Sequence, residues 1–301
     1  MKLGIVGNLA KSGLQEAVAL LLSRLEAGTA DYVVDRRIIA LPGVGADRAA
    51  KDVGRDYDRC LAEAELVIAF GGDGTILGVA RDVGARATPI LGVNLGKLGF
   101  LAELAPDELG RAVDDLLARR FQIEDRLVLE ASCPSLPGKV IHAINDVVVD
   151  KSRSPRLIDL DAHIDGAFAV TYRGDGLIIS SPTGSTAYAL SNNGPIVTPT
   201  SRVLGITPIS PHTLSGRPLI VPDSSVIRLF VHAGADEALL SADGRVEALL
   251  KPPAEITVRR AGHSVRLVRM QGRTYFDVLR AKLLWGQDVR SVQGGENVPK
   301  A

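Results

Sequence analysis

Glu65-Leu-Val-Ile-Ala-Phe70 runs directly into Gly71-Gly-Asp-Gly-Thr75, and this stretch decides the fold. A continuous apolar run that ends in a glycine cluster reads as a buried parallel strand followed by a tight loop. From Ile76 to Val83 the apolar residues recur at helical spacing, so the loop joins a strand to a helix. Open α/β sheets bind their ligands there, beyond the carboxyl ends of the strands. Glycines at 71, 72 and 74 strip the side chains from around Asp73 and let backbone N–H groups approach a phosphate. A lone carboxylate is a poor partner for a passive phosphate, because like charges repel. Asp73 is better explained as handling a hydroxyl proton or a phosphate-bound metal ion. The alternative is a strand-ending turn that uses Asp and Gly for their turn preferences.

On the N-terminal side, Leu3 to Gly7 reads as a first strand. Leu14, Val18, Leu21, Leu22 and Leu25 give a helix over Leu14 to Glu26. The connection contains Lys11-Ser12 but has Ile5 and Ala10 where a P-loop needs glycine. Gly96-Lys97 is followed by leucine, and no complete GxGxxG follows a strand. Tyr32 to Ile39 is expected as a second strand, Leu41 to Val53 as a surface loop, and Arg55 to Ala64 as a helix. On the C-terminal side, Pro89 to Asn94 is another buried strand, ending in the second glycine loop Gly96-Lys-Leu-Gly-Phe-Leu101. Leu104 to Leu117 follows as an amphipathic helix, with Arg119-Arg120 suiting its dipole. The alternation predicts a doubly wound parallel α/β domain over residues 1–122.

Beyond it the texture changes. Arg126–Ser132, Lys139–Asp150, Leu157–Ile164, Ala167–Tyr172, Gly176–Ser180, Val226–Val231 and Glu255–Val258 are short, alternating and rich in β-branched residues. Turn signals separate them, among them Asp165-Gly166, Asp243-Gly244 and Pro252-Pro253. An all-β layered domain over residues 123–272 is expected. From Phe276 the pattern is helical again, so residues 273–301 are expected to form a helix returning to the first domain and a frayed tail.

The second informative stretch is Gly174-Asp-Gly-Leu-Ile-Ile-Ser-Ser-Pro-Thr-Gly-Ser-Thr-Ala-Tyr-Ala-Leu-Ser191, a strand to Ser180 followed by a run of small hydroxylated residues. Its hydroxyls and N–H groups at the start of a helix near Ser185 suit a sugar or an amide, beyond what capping alone requires. No GxSxG elbow is present, which argues against a serine hydrolase. Asn145-Asp146 is either turn chemistry or a grip on a ribose diol, since a carboxylate accepts two hydroxyl bonds. Arg153, Arg156 and Arg173 are candidate phosphate partners or ordinary surface charges.

The bulk composition adds limits. Over 301 residues, 35 basic side chains balance 35 acidic ones, giving no electrostatic reason to expect nucleic acid or an anionic membrane as partner. Cys60 and Cys133 form neither a metal pattern nor a disulfide framework, and the five histidines lack ligand spacing. No apolar run approaches the roughly 20 residues of a membrane span. A cytoplasmic location is expected.

Taken together, these stretches resemble the bacterial and archaeal NAD kinases. The resemblance rests on Gly71 to Thr75, Asn94 to Leu101, Asn145 to Val149, Gly174-Asp-Gly176, Pro182 to Tyr188, Gly194-Pro-Ile-Val197 and Arg217 to Pro222, in the family's order and spacing. GGDGT alone also occurs in lipid kinases and phosphofructokinases, whereas its combination with Thr-Gly-Ser-Thr-Ala-Tyr is specific. The resemblance implies transfer of the γ-phosphoryl group of ATP, or of polyphosphate, to the 2′-hydroxyl of the adenosine ribose of NAD, giving NADP. It implies Asp73 as proton acceptor and Mg²⁺ or another divalent cation, carried by the donor near Asp73. It places Gly71, Gly72, Gly74 and Thr75 against phosphates or dinucleotide, and Asn145 and Asp146 at the adenosine side. Asp175, Thr186, Ala187, Tyr188, Ala189, Leu190 and Ser191 complete the pocket, with Arg156 and Arg173 lining it. Arg245 stands where many members carry glutamine. A homo-oligomer, dimer or tetramer, sharing pocket residues between subunits is also implied. The competing readings are a lipid or polyol kinase, which predicts an apolar acceptor groove, and a dinucleotide sensor without chemistry, which has no need of Asp73.

Overall fold

The computed structural model describes residues 1–45, 52–97, 99–212, 216–232 and 237–285. The tail expected to fray, the centre of the loop between Leu41 and Val53, and Leu98 lie outside the described residues. In chain order the N-terminal elements are β1 (Leu3–Gly7), α1 (Leu14–Ala27), β2 (Tyr32–Asp35), α2 (Arg36–Ile39), β3 (Gly54–Arg55) and α3 (Tyr57–Glu63). They continue as β4 (Leu66–Gly71), α4 (Asp73–Val83), β5 (Ile90–Asn94) and α5 (Leu109–Leu117). The strands lie parallel in the order β3-β2-β1-β4-β5. Every residue of β4 is buried, which is why its sequence is apolar without alternation. α1 and α5 pack on one face of this sheet, and α3 and α4 on the other.

The remaining elements are β6 (Gln122–Ser132), β7 (Val140–Ala143), β8 (Asp146–Asp150), β9 (Ile158–Ile164), β10 (Ala167–Gly174), β11 (Gly176–Ser180) and α6 (Tyr188–Ser191). After them come β12 (Val203–Ile209), β13 (Leu219–Pro222), β14 (Ile227–Val231), β15 (Ala238–Ala242), β16 (Arg245–Leu250), β17 (Ala254–Arg269) and α7 (Tyr275–Leu283). A six-stranded sheet runs β13-β12-β11-β8-β15-β16. It packs on β6, β9, β14 and β17 through a core that includes Val147, Leu177, Leu204, Leu129, Leu160, Leu229 and Ile256. The architecture is an α/β half followed by a layered β half, as expected. The first sheet nevertheless continues into the second half: β17 pairs with β5 at Leu267 and Ile90, and further along with β14 and β6.

Several expectations are corrected. Tyr32 to Ile39 is a strand only to Asp35, whose buried carboxylate accepts the Arg37 N–H at 3.0 Å and starts a helical turn. Lys139 to Asp150 is two strands in different sheets, because the chain turns at Ile144-Asn145. The strand expected at Glu255–Val258 is 16 residues long. Its Arg259 and Arg260 face solvent and pair with Glu130 and Asp223, both at 2.6 Å. Helix α4 begins at Asp73 itself. A 3₁₀ turn at Thr183–Thr186 and the short α6 replace one helix near Ser185.

α7 is held at its start by a reciprocal cap between Thr274 and Asp277. Arg273 donates to the Glu103 carbonyl at 3.2 Å, and the Tyr275 ring lies 6.4 Å from that of Phe100. The C-terminal helix thus returns to the loop that follows β5. No helix among the described residues is long and apolar enough to cross a membrane.

Candidate active site

β4 delivers Gly71 and Gly72 to the carboxyl edge of the sheet, and Asp73 occupies the first position of α4. A negative side chain suits the exposed N–H groups of a helix start. The Asp73 carboxylate accepts N–H bonds from Phe100 at 2.8 Å and Leu101 at 3.1 Å, so the second glycine loop folds onto the first. A Cβ on Gly99 would stand 1.8 Å from Asp73 Oδ1, so the approach needs glycine there. Gly71 has a different reason: a Cβ would lie 2.3 Å from Thr75 Oγ1. Around Gly72 and Gly74 nothing lies within 4 Å of the Cβ position. The backbone is bare on both sides of the carboxylate.

A second cluster forms where β8 starts and β11 ends, since Asp146 and Ser180 are register partners. The Ser181 N–H donates to the Asn145 carbonyl at 2.9 Å and its hydroxyl to the Ile144 carbonyl at 2.5 Å. A Cβ on Gly184 would meet the Asn145 carbonyl oxygen at 1.9 Å. Ser185 bonds the carbonyls of Pro182 and Val197 and accepts the Val197 N–H. Thr186 donates to the Thr183 carbonyl at 3.2 Å. Much of the hydroxyl run therefore holds its own fold, leaving Tyr188 exposed and Thr186 and Leu190 partly so.

Asp243, expected from the sequence only as part of an Asp-Gly turn, is the anchor of this cluster. Its Oδ1 accepts N–H bonds from Ile144, Asn145 and Asp146 at 3.1, 2.7 and 3.3 Å. Arg245 follows two residues on, at the exposed start of β16. Burial, then the neighbouring Asp243 charge, pushes the Asp146 carboxyl up to about 7, while the Tyr188 N–H works the other way. Burial also raises Asp243, against the three N–H bonds and the nearby Arg81 of α4.

Arg126, expected only as the start of a strand, reaches the second cluster. It is 2% exposed, donates to Thr183 Oγ1 at 3.2 Å and pairs with Glu124 at 2.5 Å. Tyr275, whose ring neighbours Phe100, lies beside it. Burial and the neighbouring Arg269 lower the Arg126 guanidinium to about 10. A charged residue inside a strand pattern was the available signal.

Three residues expected at the site are elsewhere in this chain. Asp175 precedes β11 at its opposite end, where Gly176 partners Asp150. At about 3.4 Å per residue that end lies roughly 13 Å from Asp146. Asp175 pairs with Lys151 at 2.8 Å, which holds its carboxyl below the usual range. Arg173 approaches Asp159 at 3.8 Å, and Arg156 is exposed in the loop before β9.

A carboxylate fixed in a bare glycine turn at the carboxyl edge of a parallel sheet, in a chain that also builds a polar cluster of hydroxyls and a carboxylate, is the equipment of a phosphotransferase that acts on a hydroxylated acceptor. Comparison with known proteins gives the family. Residues 45–121 match the ATP-NAD kinase N-terminal domain, and residues 144–270 match the ATP-NAD kinase C-terminal domain. The chain is 41% identical over 287 residues to the NAD kinase of Moorella thermoacetica, covering 95% of this chain and 90% of the relative. It is 44% identical over 226 residues to the NAD kinase of Geobacter sulfurreducens, covering 74% and 80%. Among solved structures, yeast NADH kinase complexed with NADH superposes with a TM-score of 0.81 at 27% identity, over 100% of this chain and 90% of that one. An Archaeoglobus fulgidus NAD kinase in complex with ATP shares the fold, with a TM-score of 0.73 at 22% identity over 94% and 99%. The chain belongs to the ATP-NAD kinase family.

Proposed function

We propose that this enzyme transfers the γ-phosphoryl group of ATP to the 2′-hydroxyl of the adenosine ribose of NAD, with Asp73 accepting the hydroxyl proton. The new bond joins the ribose oxygen to the γ-phosphorus, the bond to the β,γ-bridging oxygen breaks, and ADP leaves. The observation that carries this reading is the Asp73 carboxylate, fixed by two backbone N–H bonds yet flanked by side-chain-free backbone. An ionised carboxylate has about four acceptor positions, so two N–H bonds leave room for a ribose hydroxyl. A ribose hydroxyl is a weak acid, so positioning contributes more than basicity.

Among the described residues no group of three or more His, Cys, Asp or Glu side chains is placed to hold a metal. Mg²⁺ would arrive on the triphosphate, and Asp73 would be the carboxylate of the glycine turn available to it, because Mg²⁺ binds through phosphates and one or two carboxylates. When bound it supplies charge neutralisation on the phosphates. On the acceptor side, Asn145, Asp146 and the segment Thr186 to Ser191 hold the adenosine, with Arg245 at the rim.

Asp175, Arg173 and Arg156 serve the pocket of a neighbouring copy in a homo-oligomer, since they lie at the far end of β8 and β11 from Asp146. Residues 1–122 form the phosphate-handling domain and 123–272 the dinucleotide domain. With both cysteines free and buried, we place the enzyme in the cytoplasm.

The test is NADP formation from NAD, Mg²⁺ and ATP. Asp73→Asn should lower kcat at least ~10²-fold, the scale of a lost acid–base group. Wild type that binds NAD yet makes no NADP with any phosphate donor would sink the proposal. Mixing Asp73→Asn with Asp175→Ala, then refolding or co-expressing, should restore roughly a quarter of wild-type activity, because half the pairs are mixed and each has one intact site. No recovery on mixing would place Asp175 outside any shared pocket.

A further inference from the structure

Two segments share one edge of β5. Leu267 of β17 pairs with Ile90 near its start, and Glu103 and Leu104 bond Gly92 and Asn94 further along. Where the two segments meet, the Glu103 carboxylate joins them. Its Oε1 accepts the Met270 N–H at 2.8 Å and its Oε2 accepts Arg269 Nη1 at 2.6 Å. The contacts continue along one face of β6. Strand side chains alternate with a period of two, so Gln122, Glu124 and Arg126 share a face, and the register with β17 sets Arg269, Leu267 and Val265 opposite them. Leu267 and Val265 pack with Ile76 and Leu101, so this is the face that carries α4. Arg269 Nε lies 3.5 Å from Glu124 Oε1, the oxygen that also meets Arg126 Nη2 at 2.5 Å. Arg126 Nη1 donates to Thr183 Oγ1 at 3.2 Å. At the other end, Glu103 lies two residues after Leu101, whose N–H binds Asp73 together with that of Phe100. Two carboxylates and two guanidinium groups therefore run from the Asp73 loop to the Thr183 turn of the acceptor cluster.

We propose that Glu103, Arg269, Glu124 and Arg126 form one positioning unit that sets the Asp73 carboxylate against the acceptor pocket while touching neither substrate. The inference rests on the proposed roles of Asp73 and of the acceptor cluster. Stability alone does not account for these four side chains. Desolvating a buried ion-pair array costs about as much as its attractions return, and apolar side chains of similar volume often serve a core as well. What the charges add is direction. Arg269 reaches Glu124 through Nε and Glu103 through Nη1, so a single rigid guanidinium plane fixes the angle between the two carboxylates. Glu124 is in turn shared by two guanidinium groups, which ties the Arg126 end to the Arg269 end. The Asp73 loop and the Thr183 turn are remote in the chain, and these side chains couple them across the joint between β17 and the segment after β5. Phosphoryl transfer depends on in-line alignment, and an ångström of drift at the reacting atoms costs about 10²-fold in rate. An alignment of that precision is what a chain of directional contacts supplies and an apolar core does not.

The test measures kcat and both KM values for the full-length wild type, Glu124→Gln, Arg269→Lys and the double variant. Both side chains are partly exposed, and glutamine and lysine keep their bulk. Urea unfolding of the same preparations checks that each is folded under assay conditions. Glutamine removes the charge that both arginines share, and lysine has one nitrogen where the guanidinium uses two. Each single variant should lower kcat about tenfold or more, because the two halves fall out of step. KM for NAD and for ATP should stay within about twofold, because each half still binds its own ligand. The double variant should be no slower than the slower single variant, since the unit is already broken. A purely structural role moves the urea midpoint and leaves kcat of the folded enzyme unchanged, and that result overturns the inference. So does a rise in either KM with kcat intact, or a double variant that loses the product of the two single effects. Inactive wild type would instead overturn the reaction assigned to Asp73, and this inference with it.

Discussion

Gly99→Ala is the most informative single substitution, because it moves Asp73 without altering its chemistry. Gly99 is buried, and an alanine there meets a conflict of space. The added Cβ would stand 1.8 Å from Asp73 Oδ1, 2.5 Å from Cγ and 2.7 Å from Oδ2. Real Cβ contacts stay beyond 3.0 Å, so the carboxylate must retreat by more than an ångström. Retreat also breaks or lengthens the bonds from the Phe100 and Leu101 N–H groups. Each bond to a charged acceptor contributes about 1.5–3 kcal/mol, and partial exposure of Asp73 lets water replace much of it. The expected loss of stability is therefore about 1–3 kcal/mol. An ångström of misplacement at the reacting centre costs about 10²-fold in rate, so kcat should fall on that order while KM for NAD holds.

The assay is NADP formation at saturating NAD and ATP, beside urea unfolding of the same preparations. The double variant with Asp73→Asn should be no slower than Asp73→Asn alone, because the same carboxylate is removed twice. A folded Gly99→Ala enzyme with kcat within about threefold of wild type would refute the placement of Asp73 at the reacting centre.

Two further outcomes follow from the second cluster. Gly184→Ala sets a Cβ 1.9 Å from the Asn145 carbonyl oxygen and 2.4 Å from its carbon, and backbone has no rotamer to yield. KM for NAD should rise at least ~10-fold with KM for ATP little changed, read in the same kinetics. The Asp146 carboxyl, raised to about 7 by burial and Asp243, contributes stability that is complete below its unfolded value near 3.8. That contribution is lost as pH climbs through 7. Denaturant unfolding should show wild type losing on the order of 1–3 kcal/mol between pH 5 and 8, and Asp146→Asn losing less. Equal slopes would show that Asp146 does not carry the pH dependence.

The elements legible in the sequence were those whose pattern is local. β4 is buried on both faces, so its apolar run needed no partner to be recognised, and the glycines after it mark the turn directly. β17 was seen only at Glu255–Val258, because Arg259 and Arg260 interrupt the alternation. Their partners Glu130 and Asp223 are 129 and 37 residues away. Asp243 reads locally as an Asp-Gly turn, and its grip on Ile144, Asn145 and Asp146 is across about a hundred residues. Arg126 has the same history: its meaning lies in Thr183, 57 positions later. β12, β13, β15 and β16 are not expected as strands from the sequence, and all four are set by pairing within the second sheet.

The continuity of the first sheet bears on how the site works. β6 and β17 run antiparallel from Gln122 and Arg269, beside β5, to Ser132 and Thr257, beside β14. The two halves of the chain therefore share strands, and the buried Arg126 ties Thr183 to that ribbon. Ile144 seals the same junction from the α4 side. The glycine turn and the acceptor pocket are positioned by one hydrogen-bonded framework, in keeping with a reaction that depends on alignment more than on acid–base strength. The far end of β8 and β11 belongs to that framework too, and strands cannot shorten. Asp175 is kept at the opposite end of β8 and β11 from Asp146 by the register of the six-stranded sheet. A pocket that drew on both ends, as the proposed homo-oligomer does, would need a second copy to complete it, and the mixing of Asp73→Asn with Asp175→Ala decides whether it does.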